Sequence, residues 1–354
     1  MKAVVYHGPR DFRVESVPDA KLHDAQDALV RITRTAICGS DLHLWHGMPS
    51  AANGFVTGHE FVGVVEDVGS DVQRVKRGDR VVVSCTAGCG ECGLCRKREY
   101  SGCQVLGAGG PATNVFGFGN PALNGGQAEA ARVPFADINL FKIPASIDDE
   151  HALFLTDILP TGYMGAELAE VAPGDVVVVF GCGPVGTFAQ RSALIRGAAA
   201  VVAVDLDDGR LARARERGCI PLNPKREDLR ARVNELTEGR GADAAIEAVG
   251  RSELVRSAID IVRAGGRIAV IGVVSDAEDV PIPFLRGLMA RNLTLRSGLV
   301  NPQNHVQKLL PLIEQGRLDP TDIITHRLPL ADGVRGYQVF EAHSENVLKV
   351  VLKP

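Results

Sequence analysis

Two short motifs near the start of the chain carry residues that suit metal chemistry. Cys38 opens the run Cys-Gly-Ser-Asp-Leu-His, and His59 lies in the run Gly-His-Glu that follows after a short loop. A thiolate and a neutral imidazole are ligands for Zn²⁺, which takes about four ligands in a tetrahedron. Two ligands do not make a site, so a third must come from elsewhere in the chain. Our candidate is Asp157, a lone carboxylate in an otherwise apolar run, where an unpaired charge is costly.

Three protein ligands leave one position open for water or substrate, which is the arrangement of a catalytic zinc. Each residue taken alone has a simpler interpretation. A single cysteine is usually a small buried hydrophobe, and a single histidine is usually a core or surface residue. The prediction of a catalytic zinc therefore depends on the joint pattern of Cys38, His59 and Asp157.

A second group of cysteines has the spacing C-x₂-C-x₂-C-x₇-C. Four thiolates this close, in a glycine-rich and charged loop, fit a closed structural zinc site. An iron–sulfur cluster is the main alternative, but it predicts a nearer fourth cysteine followed by proline, whereas Gln104 follows here. Reduced thiols without a metal are the other alternative. The four residues are Cys89, Cys92, Cys95 and Cys103.

A glycine-rich turn connects a predicted buried strand over 175–180 to an alanine-rich predicted helix. The turn matches G-x-G-x-x-G in the strand–turn–helix context that dinucleotide binding requires. Its glycines permit a tight turn and a close approach of a pyrophosphate to the helix N-terminus, where free N–H groups favour anions. The residues of the motif are Gly181, Gly183, Pro184, Val185 and Gly186, with Cys182 between the first two glycines.

The next predicted strand, 200–204, is followed at once by Asp205. A carboxylate there accepts hydrogen bonds from a ribose 2′-OH and repels a 2′-phosphate, so NAD is favoured over NADP. Arg210 comes too late to reverse this preference and is a candidate contact to the adenosine ribose.

Further strand–turn units place other residues at strand carboxyl ends, where ligands bind in doubly wound sheets. Strands predicted over 243–250 and 266–272 put Val249, Gly272 and Val273 at this edge. With Leu299, beyond the last predicted strand, they are candidate cofactor contacts.

The elements that carry these motifs divide the chain into two domains. Residues 1–157 show short valine-rich strands and turns, which predicts a barrel-like, mostly-β domain. Strand–helix alternation over 158–296 predicts a doubly wound parallel sheet. The closing strand, 347–352, has no obvious partner there, so residues 297–354 are predicted to return to the first domain. The predicted fold class is α/β, with a catalytic domain and a coenzyme domain.

The bulk properties exclude several classes of partner. The 354 residues carry a net charge of -4, which argues against nucleic acid and anionic membranes as partners. No apolar run approaches the ~20 residues that span a bilayer, and the N-terminus reads as a β-strand rather than a signal peptide. We therefore expect a cytoplasmic location, where eight cysteines point to metal binding before disulfides.

These motifs resemble those of the zinc-dependent medium-chain alcohol dehydrogenase family along essentially the whole chain. The resemblance rests on Cys38 with the Gly-His-Glu run, the cysteine lobe over 89–103 and the glycine motif over 181–186, in the family's order and near its spacing. It implies a GroES-like catalytic domain, a Rossmann coenzyme domain and two zinc ions per chain. The implied activity is hydride transfer between a primary or secondary alcohol and NAD, by a homo-oligomer, with the tetramer favoured over the dimer.

The resemblance also implies roles around the catalytic zinc. Cys38, His59 and Asp157 resemble its ligands, with aspartate where many members have cysteine. Glu60 resembles the acid beside the metal, and Asp41 resembles the partner that fixes the tautomer of His59.

Other implied roles concern the proton and the coenzyme. Ser40 matches the hydroxyl that takes the alcohol proton, and His43 matches the outer member of the proton relay. Thr161 matches a residue near the nicotinamide, and Lys349 a basic residue near the pyrophosphate. Gly39 departs from the pattern, because some relatives carry Arg or His there as a contact to the coenzyme phosphate.

Two alternative functions stay open at this point. One is a polyol, amino-alcohol or formaldehyde dehydrogenase, or a dismutase that keeps its NAD bound, within the same family. The other is a non-catalytic nucleotide-binding relative, which predicts the loss of ligand or relay residues that this chain keeps.

Overall fold

The computed structural model describes residues 1–47, 53–107, 114–275 and 279–354. The chain forms two compact units: Met1–Pro160 together with Val300–Pro354, and Thr161–Leu299. The boundaries expected from the sequence, 157/158 and 296/297, lie close to these.

The first unit is built mainly from short strands. Within the described residues its strands are β1 (Lys2–Gly8), β2 (Asp11–Ser16), β3 (Ala28–Ile37), β4 (Phe55–Val56), β5 (Glu60–Val68), β6 (Arg80–Val83), β7 (Ala130–Val133), β8 (Leu140–Lys142), β15 (Ile324–Pro329) and β16 (Lys349–Lys353). Its helices are α1 (Asp41–Trp45), α2 (Ala136–Asn139), α3 (Asp149–Leu153), the start of α4 (Ile158–Leu168), α9 (Val306–Glu314) and α10 (Gly333–Glu341).

Strand β3 is central to the larger sheet of this unit. The sheet runs in the order β15-β16-β3-β5-β6-β8, and β7 also pairs with β3. Strand β16 pairs antiparallel with β3, with Val350 opposite Ile37. The predicted return of the last strand to the first domain is therefore confirmed. A smaller sheet, β2-β1-β4, packs its aromatic residues with those of α1 and α10 in a second core.

The second unit is a parallel sheet with helices between the strands. Its strands are β9 (Val176–Phe180), β10 (Ala200–Val204), β11 (Ile220–Leu222), β12 (Ala242–Glu247), β13 (Val262–Val270) and β14 (Thr294–Ser297). The remaining helices are the rest of α4, then α5 (Pro184–Ile195), α6 (Asp208–Glu216), α7 (Leu229–Thr237) and α8 (Ser252–Ile261).

The strand order of this sheet is β11-β10-β9-β12-β13-β14, and all pairs are parallel. The order reverses between β9 and β12, so the loops after these two strands flank the point where ligands bind in such sheets. Strand β9 reads Val-Val-Val-Val-Phe and is buried throughout, as expected for a central strand covered on both faces. Among the described residues, no helix has the length and apolar character needed to cross a bilayer.

Candidate metal and nucleotide sites

Hydrogen bonds between Cys38 and Asp41 shape the segment that carries the Cys38 thiol. Cys38 follows β3 directly, and the backbone N–H of Asp41 donates to the carbonyl of Cys38 at 3.1 Å. The Asp41 carboxylate turns back to accept the N–H of Cys38 at 2.9 Å. The Cys38 thiol is thereby held at the end of a central strand, 4% exposed.

His59 enters the site immediately before β5. Gly58 precedes it with φ +94°, and a Cβ there would lie 2.4 Å from Cγ of Gln127. A side chain at position 58 would therefore be strained and would clash, which explains the glycine of the Gly-His-Glu run. The imidazole that follows is fully buried, with 3% of its side chain exposed.

The structure brings the three predicted ligands together with Glu60. Ligand atoms of Cys38, His59, Glu60 and Asp157 all lie within 4.8 Å of one another. His59 Nε2 is 3.2 Å from Asp157 Oδ2, and Cys38 Sγ is 3.6 Å from the same oxygen. Asp157 reaches the cluster from the turn between a short 3-10 helix and α4, with 13% of its side chain exposed.

The other ring nitrogen of His59 faces Asp41. Nδ1 lies 3.3 Å from Asp41 Oδ1, an oxygen that is fully buried. A hydrogen on Nδ1 leaves the lone pair of Nε2 directed at Cys38 and Asp157, the tautomer that a metal ligand needs. Asp41 is thus placed where the resemblance implies.

The charges of the cluster are those of a cation site. Burial, reinforced by Glu60, raises the pKa of the Cys38 thiol to about 11. Burial alone lowers the pKa of His59, but Asp41 and Cys38 together bring it well above its usual value. These directions show a buried pocket of negative potential, which a divalent cation would compensate while it deprotonates the thiol. The donor set, one sulfur, one nitrogen and carboxylate oxygen, fits zinc.

Lys349, which the resemblance implies lies near the pyrophosphate, is paired with a carboxylate in the first unit. It begins β16 in the first unit, and its ammonium lies 2.5 Å from Glu60 Oε2, with both side chains 0% exposed. Burial lowers the pKa of Lys349, but the carboxylate of Glu60 and its neighbours raise it overall, so the ammonium stays charged beside Glu60.

The two predicted relay residues lie on the same segment as Cys38. Ser40 Oγ is 3.2 Å from His59 Nε2, so its hydroxyl lies beside the ligand cluster. His43 is half-buried on α1. Burial, with a smaller contribution from His46, lowers the pKa of His43. Its imidazole is therefore neutral near pH 7 and able to accept a proton.

The four-cysteine lobe forms a second cluster in the first unit. Its four ligand sulfurs lie within 4.8 Å of one another, and the Cys89 and Cys95 sulfurs are 3.9 Å apart. Backbone N–H groups point at the sulfurs, for example from Cys92 to Cys89 at 3.3 Å and from Cys89 to Cys103 at 3.3 Å. Burial raises the pKa of the Cys92 thiol, but backbone N–H donors from Cys95 and Gln104 outweigh it and lower the pKa to about 6. Thiolates stabilised in this way are suited to metal binding.

The three glycines of the second unit's motif differ in what surrounds them. Gly181 has φ +98°, which the tight turn after β9 requires. A Cβ on Gly183 would meet nothing within 4 Å, so open space lies in front of the turn. A Cβ on Gly186 would lie 2.1 Å from the carbonyl oxygen of Gly181, so this glycine lets α5 pack against the turn. This is the geometry that allows a pyrophosphate to approach the start of α5 at Pro184.

Candidate contacts from neighbouring strands gather beside this turn. A Cβ on Gly181 would lie 2.8 Å from Cγ2 of Val249, and one on Gly250 would lie 2.3 Å from the carbonyl oxygen of Val273. Gly272 packs equally closely against Gly250. Val249 and Val273 are 48% and 47% exposed. The loops after β9, β12 and β13 thus form one surface with two exposed valines.

Asp205 is tied to the glycine turn. Its carboxylate accepts the N–H of Cys182 at 2.7 Å and the N–H of Asp207 at 2.9 Å. Asp207 in turn caps α6 by accepting the N–H of Arg210 at 2.8 Å. The carboxylate therefore has a fixed orientation at the end of β10, close to the turn.

Two predicted cofactor contacts lie at the limits of the second unit. Thr161 is in α4 and Leu299 follows β14, with Leu299 41% exposed.

Two further residues of the metal site were missed by the sequence analysis. Gln127 and Tyr337 are fully buried and connected to Asp41 by hydrogen bonds. Neither lies in a motif with metal-ligand spacing, so only the three-dimensional contacts identify them.

Comparison with known proteins identifies the family of the chain. The family model of the alcohol dehydrogenase GroES-like domain matches residues 24–145, and that of the zinc-binding dehydrogenase matches residues 184–315. The zinc-type alcohol dehydrogenase-like protein AdhB of Bacillus subtilis is 37% identical to this chain over the full length of both. An alcohol dehydrogenase of Cupriavidus necator is 35% identical over 100% of this chain and 99% of its own.

A solved structure is similar over a comparable extent. The alcohol dehydrogenase TADH from Thermus sp. ATN1 superposes with a TM-score of 0.93 and 40% identity, covering 100% of this chain and 99% of that one. The chain belongs to the zinc-dependent medium-chain alcohol dehydrogenase family. Membership confirms the predicted fold class, a GroES-like domain with a Rossmann domain, and makes the chain an oxidoreductase of the zinc-type alcohol dehydrogenases.

The four-cysteine lobe of this family member generates a prediction about metal content. We expect Cys92→Ser to lower the zinc content from two ions per chain to one, because a hydroxyl replaces one of four thiolate ligands. Atomic-absorption measurement of the purified protein checks this. Cys219→Ser, which alters a buried cysteine of the second unit, should keep both ions. Iron in place of zinc, or an unchanged zinc content in Cys92→Ser, would contradict the assignment.

Proposed function

We propose that this protein transfers a hydride between a primary or secondary alcohol and NAD, with one catalytic and one structural zinc ion per chain. The observation that carries the proposal is the convergence of Cys38 Sγ and Asp157 Oδ2 on His59 Nε2, beside the Ser40 hydroxyl. Sulfur, nitrogen and carboxylate donors at one buried point have no other evident use in an alcohol dehydrogenase.

Each residue of the metal site has a role in the proposal. Zinc held there supplies Lewis acidity, which lowers the pKa of an alcohol hydroxyl toward neutrality. Cys38, His59 and Asp157 hold the ion. Ser40 takes the proton of the alcohol and passes it on, and neutral His43 receives it at the outer end.

The structural zinc belongs to the cysteine lobe. Four sulfurs with backbone N–H donors form a closed site with no place for substrate. Its role is to hold together a loop region that has little regular structure of its own.

The coenzyme site belongs to the second unit. The glycine turn with α5 would hold the pyrophosphate, and Asp205 would accept hydrogen bonds from the adenosine ribose. Val249 and Val273 offer an apolar surface beside them, and Arg210 is a further candidate contact. Thr161 remains a proposed contact by resemblance, and Gly272 and Leu299 remain proposed contacts because they follow strands of the parallel sheet. The preference for NAD rests on the charge of Asp205.

The catalytic assignment predicts separable effects on metal, activity and coenzyme. Asp157→Ala and Cys38→Ala should each lose one zinc ion, and alcohol oxidation should fall at least about a thousandfold, because the metal contributes several kcal/mol to the barrier. NAD affinity, measured by fluorescence titration, should stay within about twofold of the wild-type value. The control is Asp67→Ala, which removes an exposed carboxylate. Full activity in either ligand variant would refute the assignment.

The choice of coenzyme gives a second prediction. Asp205→Asn keeps the size of the side chain and removes the charge that repels a 2′-phosphate. We expect the ratio of NAD affinity to NADP affinity to fall about tenfold or more, as measured by titration with both coenzymes. Asp228→Asn, with the same charge change at the start of α7, should leave the ratio unaltered. An unchanged ratio in Asp205→Asn would show that other groups select the coenzyme.

We also propose that the protein is a homo-oligomer, with a tetramer favoured over a dimer. Strand β14 ends the order of the parallel sheet, and the segment before it exposes large apolar side chains. Phe284, Leu285 and Met289 are 64%, 65% and 58% exposed. A second copy that covered them would bury this surface and could extend the sheet edge. The cytoplasmic location stays a prediction from the sequence.

The oligomer proposal is tested by measuring molar mass in solution. Wild-type protein should elute as a multiple of the 37.6 kDa chain in size-exclusion chromatography with light scattering. The double variant Phe284→Asp with Leu285→Asp should give a smaller species, because buried carboxylates without partners oppose association. Val105→Asp, at an exposed valine of the first unit, is the control. A monomeric wild-type protein would contradict the proposal.

A further inference from the structure

A chain of buried hydrogen bonds runs from Asp41 away from the metal site. Asp41 Oδ1 faces His59, and Oδ2 accepts the N–H of Cys38 at 2.9 Å and lies 3.4 Å from Nε2 of Gln127. Gln127 in turn accepts the hydroxyl of Tyr337 at 2.7 Å. Asp41, Gln127 and Tyr337 are each 0% exposed. These hydrogen bonds thus connect three distant parts of the chain to His59, one of the candidate metal ligands.

The amide of Gln127 has only one satisfactory orientation. Its Nε2 lies 3.2 Å from the carbonyl oxygen of Ala36, which can only accept. Its Oε1 lies 2.7 Å from the hydroxyls of both Thr57 and Tyr337, which can donate. A flipped amide would direct its oxygen at the Ala36 carbonyl and at the Asp41 carboxylate, which repel it. The N–H group of Gln127 is therefore directed at Asp41.

Tyr337 is held firmly enough to act as a fixed donor. It lies on α10, and its ring stacks on that of Trp45 with centroids 5.9 Å apart and an interplanar angle of 7°. The centroid of the Phe12 ring lies 4.4 Å from that of Tyr337. Burial raises the pKa of the phenol well above its usual value, so the hydroxyl keeps its hydrogen at every working pH. A hydroxyl that donates to an amide oxygen also strengthens the N–H bonds that the amide donates.

We propose that Tyr337 and Gln127 are positioning residues for the catalytic metal. Tyr337 fixes Gln127, Gln127 and the N–H of Cys38 hold one oxygen of Asp41, and the other oxygen of Asp41 is left for His59. The arrangement sets the tautomer and the ring angle of His59, and with them the retention of the metal. The inference rests on the proposed metal site of Cys38, His59 and Asp157.

A purely structural role makes a different prediction. If the Tyr337 hydroxyl contributed only to the stability of the aromatic core, its removal would lower the unfolding temperature and leave the metal unaffected. If it positions Asp41, its removal alters metal binding in the folded protein. Loss of a direct partner of a ligand typically costs about 10–100-fold in metal affinity, so a residue one step further out should have a smaller effect.

The experiment measures zinc release from the full-length, zinc-loaded protein. Transfer to a chromogenic chelator is followed in wild type, Tyr337→Phe and Cys38→Ala, and the kinetic phase absent from Cys38→Ala is assigned to the catalytic ion. We expect this phase to be about three- to tenfold faster in Tyr337→Phe, within the limit set by direct partners. The phase of the cysteine lobe should be unchanged. The visible spectrum of cobalt bound in place of the catalytic zinc should also shift.

Two further variants distinguish positioning from packing. Tyr6→Phe removes a hydroxyl from the same aromatic core, at a residue with no described bond to Gln127, and should release zinc at the wild-type rate. Thr57→Val removes the other hydroxyl that faces Gln127 Oε1 and should accelerate release as Tyr337→Phe does. If zinc release were also faster in Tyr6→Phe, the effect of Tyr337→Phe would be one of core packing, and the inference would be overturned.

The outcomes also separate the inference from the function on which it rests. If Cys38→Ala keeps the zinc content of the wild type, the proposed catalytic site is wrong and the inference fails with it. If Cys38→Ala loses one ion while Tyr337→Phe releases it at the wild-type rate and keeps the cobalt spectrum, only the inference is wrong.

Discussion

The first unit depends on keeping several acidic groups together out of water. Cys38, Glu60 and Asp157 lie within 4.8 Å of one another around His59, in surroundings that are almost fully buried. Such a cluster is unfavourable unless a cation and hydrogen-bond donors compensate it. Lys349 supplies one positive charge from within the fold. A second positive charge, such as a divalent metal ion would supply, would compensate the remaining acidic groups of this candidate site.

The topology of the sheet follows from that requirement. The donors come from positions 38, 59, 60, 157 and 349, so distant segments must end at the same place. Strand β3 does this by pairing with β5 on one side and β16 on the other, which brings the ends of three strands together. The antiparallel pairing of Ala36 with Glu60 puts the start of β5 beside the end of β3. The closing strand is therefore part of the scaffold of this candidate metal site.

The sequence predicted those features whose residues lie close together along the chain. The cysteine lobe and the glycine turn lie within a few residues each, and the valine-rich strands are read from composition. Asp157 was predicted by a different argument, the cost of an unpaired carboxylate in an apolar run. The pairing of Lys349 with Glu60 was not predicted, because the two residues are almost the whole chain apart in sequence. Gln127 and Tyr337 carry no local signal, since the bonds that connect them to Asp41 join residues far apart in the sequence.

The two units solve their binding problems in opposite ways. The candidate metal site is buried, and Asp41 contacts both His59 and the backbone of Cys38, as suits a small ion that requires precisely placed ligands shielded from competing water. The nucleotide surface is open at Gly183 and leaves Val249 and Val273 half exposed. A large flexible ligand can bury such apolar surface itself and gain free energy by doing so. The buried cluster is thus held in place by hydrogen bonds and ion pairs, whereas the surface beside the glycine turn stays exposed for a ligand to cover.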